Sequence, residues 1–281
     1  MKRKSQLQTL TRAFFLTLYT LFVVVPLYEM VKSSFEPLRD IESTQFHFLP
    51  LHFSWKAYRD MWTTLPLARY FIDSLVVSGI STLLSIVVAI CAAYAFSRFR
   101  FPGKSFFGVM ILATQIFPGM LFLLPIFVMF TQIQDNTGIQ LNGTYLGLVI
   151  TYMTFALPFA IWMMRGYFET IPLSLEEAAM IDGCSRIGVL TRIVIPLAIP
   201  GIIAVAVFAF LNAWNEVLFA SVLTSDTTQT LAIGLQSYAT QTVVEWNQLM
   251  ASSITVTVPV MVAFLLVQKY FLFGLTGGVK E

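Results

Sequence analysis

The sequence predicts an all-α, polytopic membrane protein, and three observations lead to that fold class. Hydrophobic residues make up 57% of the 281-residue chain and charged residues only 11%, whereas a soluble domain carries about 25% charged residues. Six apolar runs are each long enough to cross a bilayer, which takes about 20 residues in a helix. These runs are apolar on all sides, unlike the alternating strands of a barrel, so their backbone groups must be satisfied within helices.

The six predicted spans belong to one transmembrane domain that covers the whole chain. They lie at about 13–30, 71–97, 106–130, 145–164, 201–223 and 250–273. The first resembles a signal peptide, but its apolar run is longer and no small-residue cleavage site follows it, so we expect a retained first span. Pro118, Pro125 and Pro158 fall inside the third and fourth spans, where they indicate either moving, cavity-lining helices or ordinary packing.

The distribution of lysine and arginine predicts the orientation in the membrane. The connections 131–144 and 224–249 contain neither residue, whereas basic residues lie in both terminal segments, in the second connection and in the loop 165–200. By the positive-inside rule, both termini and the loop 165–200 are therefore cytoplasmic. The first connection, 31–70, is an exception of little weight, because it is long and contains acidic as well as basic residues.

The sequence predicts no catalytic site and no metal or cofactor bound by this chain. His47 and His52 have no further ligand at a suitable spacing. The tripeptide Gly103-Lys104-Ser105 is not part of a P-loop, because Arg98 occupies the position of the first glycine of that motif. The net charge of +2 is too small to predict nucleic acid binding. A membrane protein without its own nucleotide site can transport a solute uphill only with energy from an ion gradient or from a partner protein.

A polar insert between the fourth and fifth spans predicts a short helix. Ser174 and Glu177 have the spacing of a capping box, in which each side chain bonds the backbone of the other. Gly183 is expected to end the helix, since glycine readily adopts the left-handed conformation that follows a helix. A helix of about two turns is not stable alone, so it needs a surface to pack on.

One face of this short helix is suited to close packing. Leu175, Ala178, Ala179 and Asp182 share that face by their spacing of three and four residues, and the two alanines allow another backbone to approach. A second amphipathic segment follows the glycine and ends near Pro196. The residues leave two alternatives open, which are docking on a partner protein and resting on lipid headgroups.

The spacing within this insert resembles the E-A-A loop of permeases from ATP-binding-cassette (ABC) importers. Glu177-Ala178-Ala179 is followed by three residues, Gly183, nine residues and then Ile193-Val194-Ile195-Pro196. Within this loop the departure from the family pattern is Ile195, where leucine is usual, and Asp73-Ser74-Leu75 replaces the Asn-x-Leu segment that usually enters the second span. The segment 92–104 resembles the end of the second span in this family. Trp214-Asn215-Glu216 and the tail 274–280 resemble the carbohydrate branch of the same family.

The resemblance implies a type I importer permease with both termini in the cytoplasm of a bacterial or archaeal cell. It implies as partners a second permease subunit in the cytoplasmic membrane, a pair of ATPase subunits that bind ATP and Mg, and an extracytoplasmic binding protein that delivers a sugar or oligosaccharide. The short helix would be the coupling helix, which lies in a cleft of the ATPase. The residues implied in ATPase coupling are Ser174, Glu176, Glu177, Ala178, Ala179, Asp182, Gly183, Ile193 and Pro196, and those of a tail that reaches the ATPases are Gly277, Gly278 and Lys280.

Polar residues within the spans are candidates for a substrate pathway. Asn212, Asn215 and Glu216 share one face of the predicted fifth span, and Gln115 lies in the third. Polar groups inside a membrane span are energetically unfavourable and usually face a water-filled cavity or the protein interior. The alternative is hydrogen bonding between helices, which we favour for Asn215 and consider equally well supported for the other two residues of the fifth span.

The sequence leaves a second function open for the whole protein. This alternative function is a gradient-driven carrier or a membrane scaffold without an ATPase.

Overall fold

The regular structure of the described residues is built from helices. The computed structural model describes the backbone of residues 2–43, 45, 47–239 and 244–276, and the side chains of these residues except those of 2–8 and 269–276. The α-helices are α1 (Lys2–Ser34), α2 (Leu38–Ile41), α3 (Lys56–Thr64), α4 (Leu67–Arg98), α5 (Lys104–Ala113), α6 (Leu123–Thr137), α7 (Tyr145–Glu169), α8 (Leu173–Ile181), α9 (Arg186–Val189), α10 (Ile195–Leu197), α11 (Ile199–Trp214), α12 (Leu218–Leu223), α13 (Leu231–Gln236) and α14 (Trp246–Thr276). The all-helical fold class is confirmed.

Four of the described helices are long and apolar enough to cross a membrane. They are the part of α1 from Thr9, all of α4, all of α7 and the part of α14 up to Gln268. A fifth span results if the segment Arg186–Leu197 and α11 are counted together, although they meet at a bend of 77°. These helices contain four of the predicted spans, whereas the total of six and the orientation stay predictions.

The third predicted span is not one continuous helix. Helix α5 ends at Ala113 and α6 begins at Leu123, with a 3-10 turn at Gly119–Phe122 between them. Pro118 immediately precedes this turn. Because proline has no backbone N–H and disfavours helical geometry in the residue before it, the hydrogen-bond ladder is interrupted here. The segment 106–130, predicted as one span that contains Pro118, is therefore interrupted next to that proline, and its role as a span stays a prediction.

The fifth predicted span is also interrupted. Helix α11 ends at Trp214 and α12 begins at Leu218. The Glu216 carboxylate accepts hydrogen bonds from the backbone N–H groups of Phe219 at 2.9 Å and Ala220 at 3.0 Å. These bonds satisfy the first amides of α12, which would otherwise lack partners at a helix start. The expectation of a single helix over 201–223, with Glu216 inside it, is therefore wrong.

The chain divides into two compact units, which consist of residues 1–68 with 234–259 and residues 69–233 with 260–281. In the first unit, an aromatic cluster follows α1. The ring of Phe35 stacks on Phe53 and meets the edge of Trp55, with both centroid separations at 4.8 Å.

The second unit contains the loop 165–200 and an apolar core around α4, α7 and α11. Ala89 and Ala93 of α4, Met164 of α7 and Val205 of α11 are buried in one cluster. Small residues let the backbones of membrane helices approach closely. At Gly201 α11 and α7 approach closely, because a Cβ atom there would overlap the ring of Tyr167 in α7. This packing fixes α11 against α7 and so positions the residues at both ends of α11.

Candidate functional site

The short helix of the loop 165–200 is present, but it starts two residues earlier than the capping box predicts. Helix α8 begins at Leu173 after Pro172, and no side chain caps its first amides. Ser174 therefore lies inside the first turn, where its hydroxyl is past the position that a helix cap occupies. The prediction that Ser174 caps the helix together with Glu177 is wrong.

The end of α8 is formed as the glycine predicts. Gly183 has a φ of +89°, a backbone conformation that residues with a Cβ rarely adopt. The N–H of Cys184 donates to the carbonyl of Ala179 at 2.9 Å, and that of Gly183 donates to the carbonyl of Met180 at 3.1 Å. This pair of bonds is a Schellman motif, which satisfies the last carbonyls of a helix and turns the chain sharply away from it.

The buried face of α8 differs from the predicted one. Glu176 is 4% exposed and Ala179 7% exposed, so these two residues, three positions apart, face the protein interior. Ala178 and Glu177 are exposed. The prediction that Ala178 and Ala179 lie on the same packing face is therefore wrong, because Ala178 is exposed and Ala179 is buried. The physical reason is that Glu176 is held inside by an ion pair, which fixes the rotation of α8 about its axis.

This ion pair joins the loop helix to the end of α4. The Nε of Arg98 lies 2.6 Å from Oε1 of Glu176, and their side chains are 5% and 6% exposed. The hydroxyl of Tyr94 donates to Oε2 of the same carboxylate at 3.1 Å. Arg98 and Tyr94, which stand four residues apart on one face of α4, were not among the predicted site residues. An arginine at the end of a span, one helical turn after a tyrosine, was the available indication.

The segment after Gly183 also packs on the end of α4. The guanidinium of Arg186 lies 5.1 Å from the ring centroid of Phe99, a cation–π contact. Between α9 and α10 the helix widens into a π-turn at Leu190–Val194, directly before Pro196. Such turns accommodate a break in the usual ladder, and proline removes one donor from it. Ile193 is half-buried and packs against the core of the second unit.

A cavity of about 140 Å³ lies at the break between α11 and α12. Its lining residues are Tyr152, Phe155, Ala156, Asn212, Ala213, Glu216 and Phe219. Two of the predicted pathway residues, Asn212 and Glu216, are therefore brought together at one cavity. Tyr152 was missed by the sequence analysis, because a tyrosine in an apolar run is typical of a helix core as well as of a pore.

The amide side chains of three pathway candidates donate hydrogen bonds to backbone carbonyls. The side-chain amide of Asn215 donates to the carbonyl of Leu211 at 2.9 Å, so its described bond lies within its own helix and the expected bond between helices is not seen. Asn212 likewise donates to the carbonyl of Phe208 at 2.8 Å. Gln115 donates to the carbonyl of Phe155 at 3.3 Å. The predicted tail residues Gly277, Gly278 and Lys280 lie outside the described residues.

Residues 81–275 match the family model described as the binding-protein-dependent transport system inner membrane component. The chain belongs to this family. It is accordingly a non-catalytic permease subunit of an ABC importer and a multi-pass protein of the inner membrane, whose ATPase is a separate partner. The match includes α7, α8 and α11, so the loop and the cavity both lie within the family's shared region.

Individual relatives agree with this assignment. The permease is 35% identical to the inner membrane ABC transporter permease protein YcjP of Escherichia coli, over 97% of this chain and 98% of that protein. It is 34% identical to the diacetylchitobiose uptake system permease protein NgcG of Streptomyces coelicolor, over 90% of this chain and 83% of that protein.

A solved structure shows the same fold. It is a chain of a bacterial ABC transporter involved in the import of the acidic polysaccharide alginate, and it superposes with a TM-score of 0.81 over 96% of this chain and 98% of that chain. The sequence identity is 22%, so this likeness concerns the fold. The permease therefore has the type I importer fold that the E-A-A spacing implies.

Proposed function

We propose that this permease conducts an oligosaccharide and that the segment 173–197 couples the conduction to a pair of cytoplasmic ATPase subunits. The observation on which the coupling role rests is the outward surface of that segment. Ile181 is 86% exposed and Ile187 75% exposed, although the opposite side of α8 is buried through Glu176 and Ala179. Large apolar side chains presented on a polar loop favour contact with a partner protein.

The proposed docking surface is centred on the outward face of α8 and the start of α9. Leu175 is 45% exposed, and Glu177 is exposed as well. An ATPase cleft with apolar walls and a basic rim would complement these groups. In this proposal ATP and Mg are bound by the ATPase pair, the loop faces the cytoplasm with both termini, and a second, homologous permease subunit completes the passage.

The proposal of an oligosaccharide rests on the chemistry of the cavity and on the names of the relatives. Asn212 and Tyr152 bring an amide and a hydroxyl to one cavity, and the rings of Phe155 and Phe219 lie with their centroids 4.7 Å apart. A few polar groups among aromatic walls are typical of sites that orient neutral, hydroxyl-rich ligands. A diacetylchitobiose permease among the relatives supports the same class of solute.

The solute class is tested with the complete importer in liposomes and its cognate binding protein. A panel of neutral oligosaccharides, amino acids and inorganic ions is added, and the rate of ATP hydrolysis is measured. We expect stimulation by one or a few oligosaccharides, because the loaded binding protein favours the conformation in which the ATPases close. Stimulation by amino acids or ions alone would contradict the oligosaccharide proposal.

Replacement of Asn212 by leucine tests the pathway. We expect uptake of the stimulating oligosaccharide to fall about fivefold, because a neutral hydrogen bond contributes about 1 kcal/mol, while co-purification of the ATPase is unchanged. Asn215→Leu is the matched comparison, because both amides bond a carbonyl of their own helix but Asn215 does not line the 140 Å³ cavity beside Tyr152; it should reduce uptake less. Equal uptake by the wild type and the Asn212 variant would remove Asn212 from the pathway.

A further inference from the structure

The contacts of Glu176 are made within the chain. One carboxylate oxygen lies 2.6 Å from Nε of Arg98 and the other accepts from the hydroxyl of Tyr94 at 3.1 Å. With a side chain only 6% exposed, this carboxylate has no free face for a partner protein. Its neighbour Glu177 is exposed and remains available to one. The two adjacent glutamates therefore have different surroundings.

The guanidinium of Arg98 makes further bonds beyond the ion pair. Its Nη2 donates to the carbonyl of Phe168 at 2.7 Å and to that of Ile171 at 3.1 Å. Phe168 lies in the last turn of α7, and Ile171 lies in the turn that leads into α8. One buried side chain at the end of α4 therefore holds the end of α7, the following turn and α8 together.

A buried arrangement of this kind resists distortion. Removing or displacing one member of a buried ion pair leaves the other charge without compensation, which is strongly unfavourable. Apolar packing surrounds the pair, with Tyr94, Phe168 and Ala179 in the same buried cluster. Movement of α8 away from the end of α4 would break the charge pair and open this cluster together, so the two helices are expected to move as one body.

The other end of α4 is bonded to the connection after α12. Nη2 of Arg69 donates to the carbonyl of Thr227 at 2.7 Å, and the hydroxyl of Ser74 accepts from the N–H of Leu231 at 2.7 Å. Helix α4 has 32 residues, so at 1.5 Å per residue it is about 48 Å long and exceeds the thickness of a bilayer core. A rigid helix thus connects α8 with the residues 224–231.

We propose that Arg98 and Glu176 form a joint that fixes the coupling helix to α4, so that displacement of α8 by the ATPases reaches the connection 224–231 through α4. Glu176 is then a positioning residue that acts through Arg98 and does not contact the ATPase, in contrast to its assignment among the docking residues. This inference rests on the proposed coupling function of the segment 173–197. It assigns a mechanical role to two side chains that are 78 positions apart.

The test measures a change at position 226, beside the Arg69 end of α4, while the ATPases are trapped in the closed state next to the Arg98 end. Cys91 and Cys184 are replaced by serine and Asp226, which is exposed, is replaced by cysteine. The complete importer in nanodiscs is incubated with or without MgATP and vanadate, and the rate of labelling by N-ethylmaleimide is measured. With the joint intact, we expect trapping of the ATPases to change this rate at least about fivefold, the lower range of allosteric coupling.

Two conservative variants break the joint. Glu176→Gln removes the negative charge at constant shape, and Arg98→Lys keeps the charge but loses the forked geometry that bonds two carbonyls. We expect both to abolish the change in labelling rate while the ATPase still co-purifies. The matched control is Glu169→Gln, which removes an ion pair with Arg165 of similar length, 2.7 Å, that lies within α7 and has side chains 35% and 49% exposed; it should keep the change.

The outcomes separate this inference from the function on which it rests. Loss of the ATPase from the Glu176→Gln complex would show that Glu176 is a docking residue and would overturn the joint. An unaltered change in labelling rate in either variant, or no change with the joint intact, would overturn it too. If one variant gives too little complex to measure, the other decides. Failure of the coupling function itself appears differently, as normal ATPase association and uptake when Glu177 is replaced by lysine.

Discussion

Replacement of Gly183 by valine is expected to lower both ATPase association and oligosaccharide uptake about tenfold. Gly183 has a φ of +89°, and an L-residue in the left-handed region costs about 1–2 kcal/mol, more for a β-branched side chain. A penalty of about 1.4 kcal/mol corresponds to a factor of ten. The strain is relieved by opening the Schellman bonds, which changes the direction in which the chain leaves α8 and separates Ile181 from Ile187. Co-purification of the ATPase and ATP-driven uptake measure the two effects.

Two control variants show whether the conformation of Gly183 is the cause. Gly183→Asn should retain most of the association and uptake, since asparagine tolerates the left-handed conformation better than other residues with a Cβ. Gly166→Ala should be close to neutral, because a Cβ at that position in α7 meets no atom within 4 Å. Equal loss in the asparagine and valine variants would contradict the conformational explanation.

Replacement of Glu216 by alanine is expected to lower the stability of the folded permease more than its specificity. The carboxylate bonds two amides in the first turn of α12, those of Phe219 and Ala220. An unsatisfied buried donor costs about 1–3 kcal/mol, and the cost is higher where lipid excludes water. We therefore expect a large loss of intact complex after extraction in detergent and a lower midpoint of thermal unfolding.

Glu216→Gln is the graded control for this prediction. Its amide oxygen still accepts a hydrogen bond but lacks the charge that favours a helix N-terminus, so we expect intermediate stability. Asn212→Leu changes the same cavity without touching the amides of α12 and should unfold like the wild type. A stable Glu216→Ala complex with altered solute preference would show that the carboxylate serves the solute rather than the break in the helix.

Local patterns predicted the loop well where a single residue decides the backbone. Gly183 ends α8 as expected, because glycine adopts a φ of +89° without the steric strain that a Cβ atom causes. Ser174 did not cap the helix, because the chain enters helical geometry directly after Pro172, two residues earlier than predicted, and tertiary contacts determine the rotation of α8. Local preferences thus predicted the existence and the end of the helix, Pro172 sets its beginning, and packing determines its buried face.

Long-range contacts explain what the sequence did not reveal. The breaks at Pro118 and near Glu216 depend on which neighbouring groups satisfy the interrupted backbone, and apolar composition alone does not show that. The Arg98–Glu176 ion pair joins residues in different helices, so neither residue's local surroundings identify the other. The family resemblance implied an ATPase contact for both Glu176 and Glu177, but only the rotation of α8 shows which of the two glutamates faces outward.

The most direct test of the coupling account is a cross-link from the outward face of α8. Ile181, which is 86% exposed, is replaced by cysteine in the variant with Cys91→Ser and Cys184→Ser, and a benzophenone maleimide is attached. Ile139, which is 54% exposed and lies in a connection predicted to face the outside, is labelled in the same way as the control. Illumination of the intact importer should join the ATPase to the permease labelled at position 181 and not at 139. An active, intact complex that gives no ATPase adduct from position 181 would contradict the account.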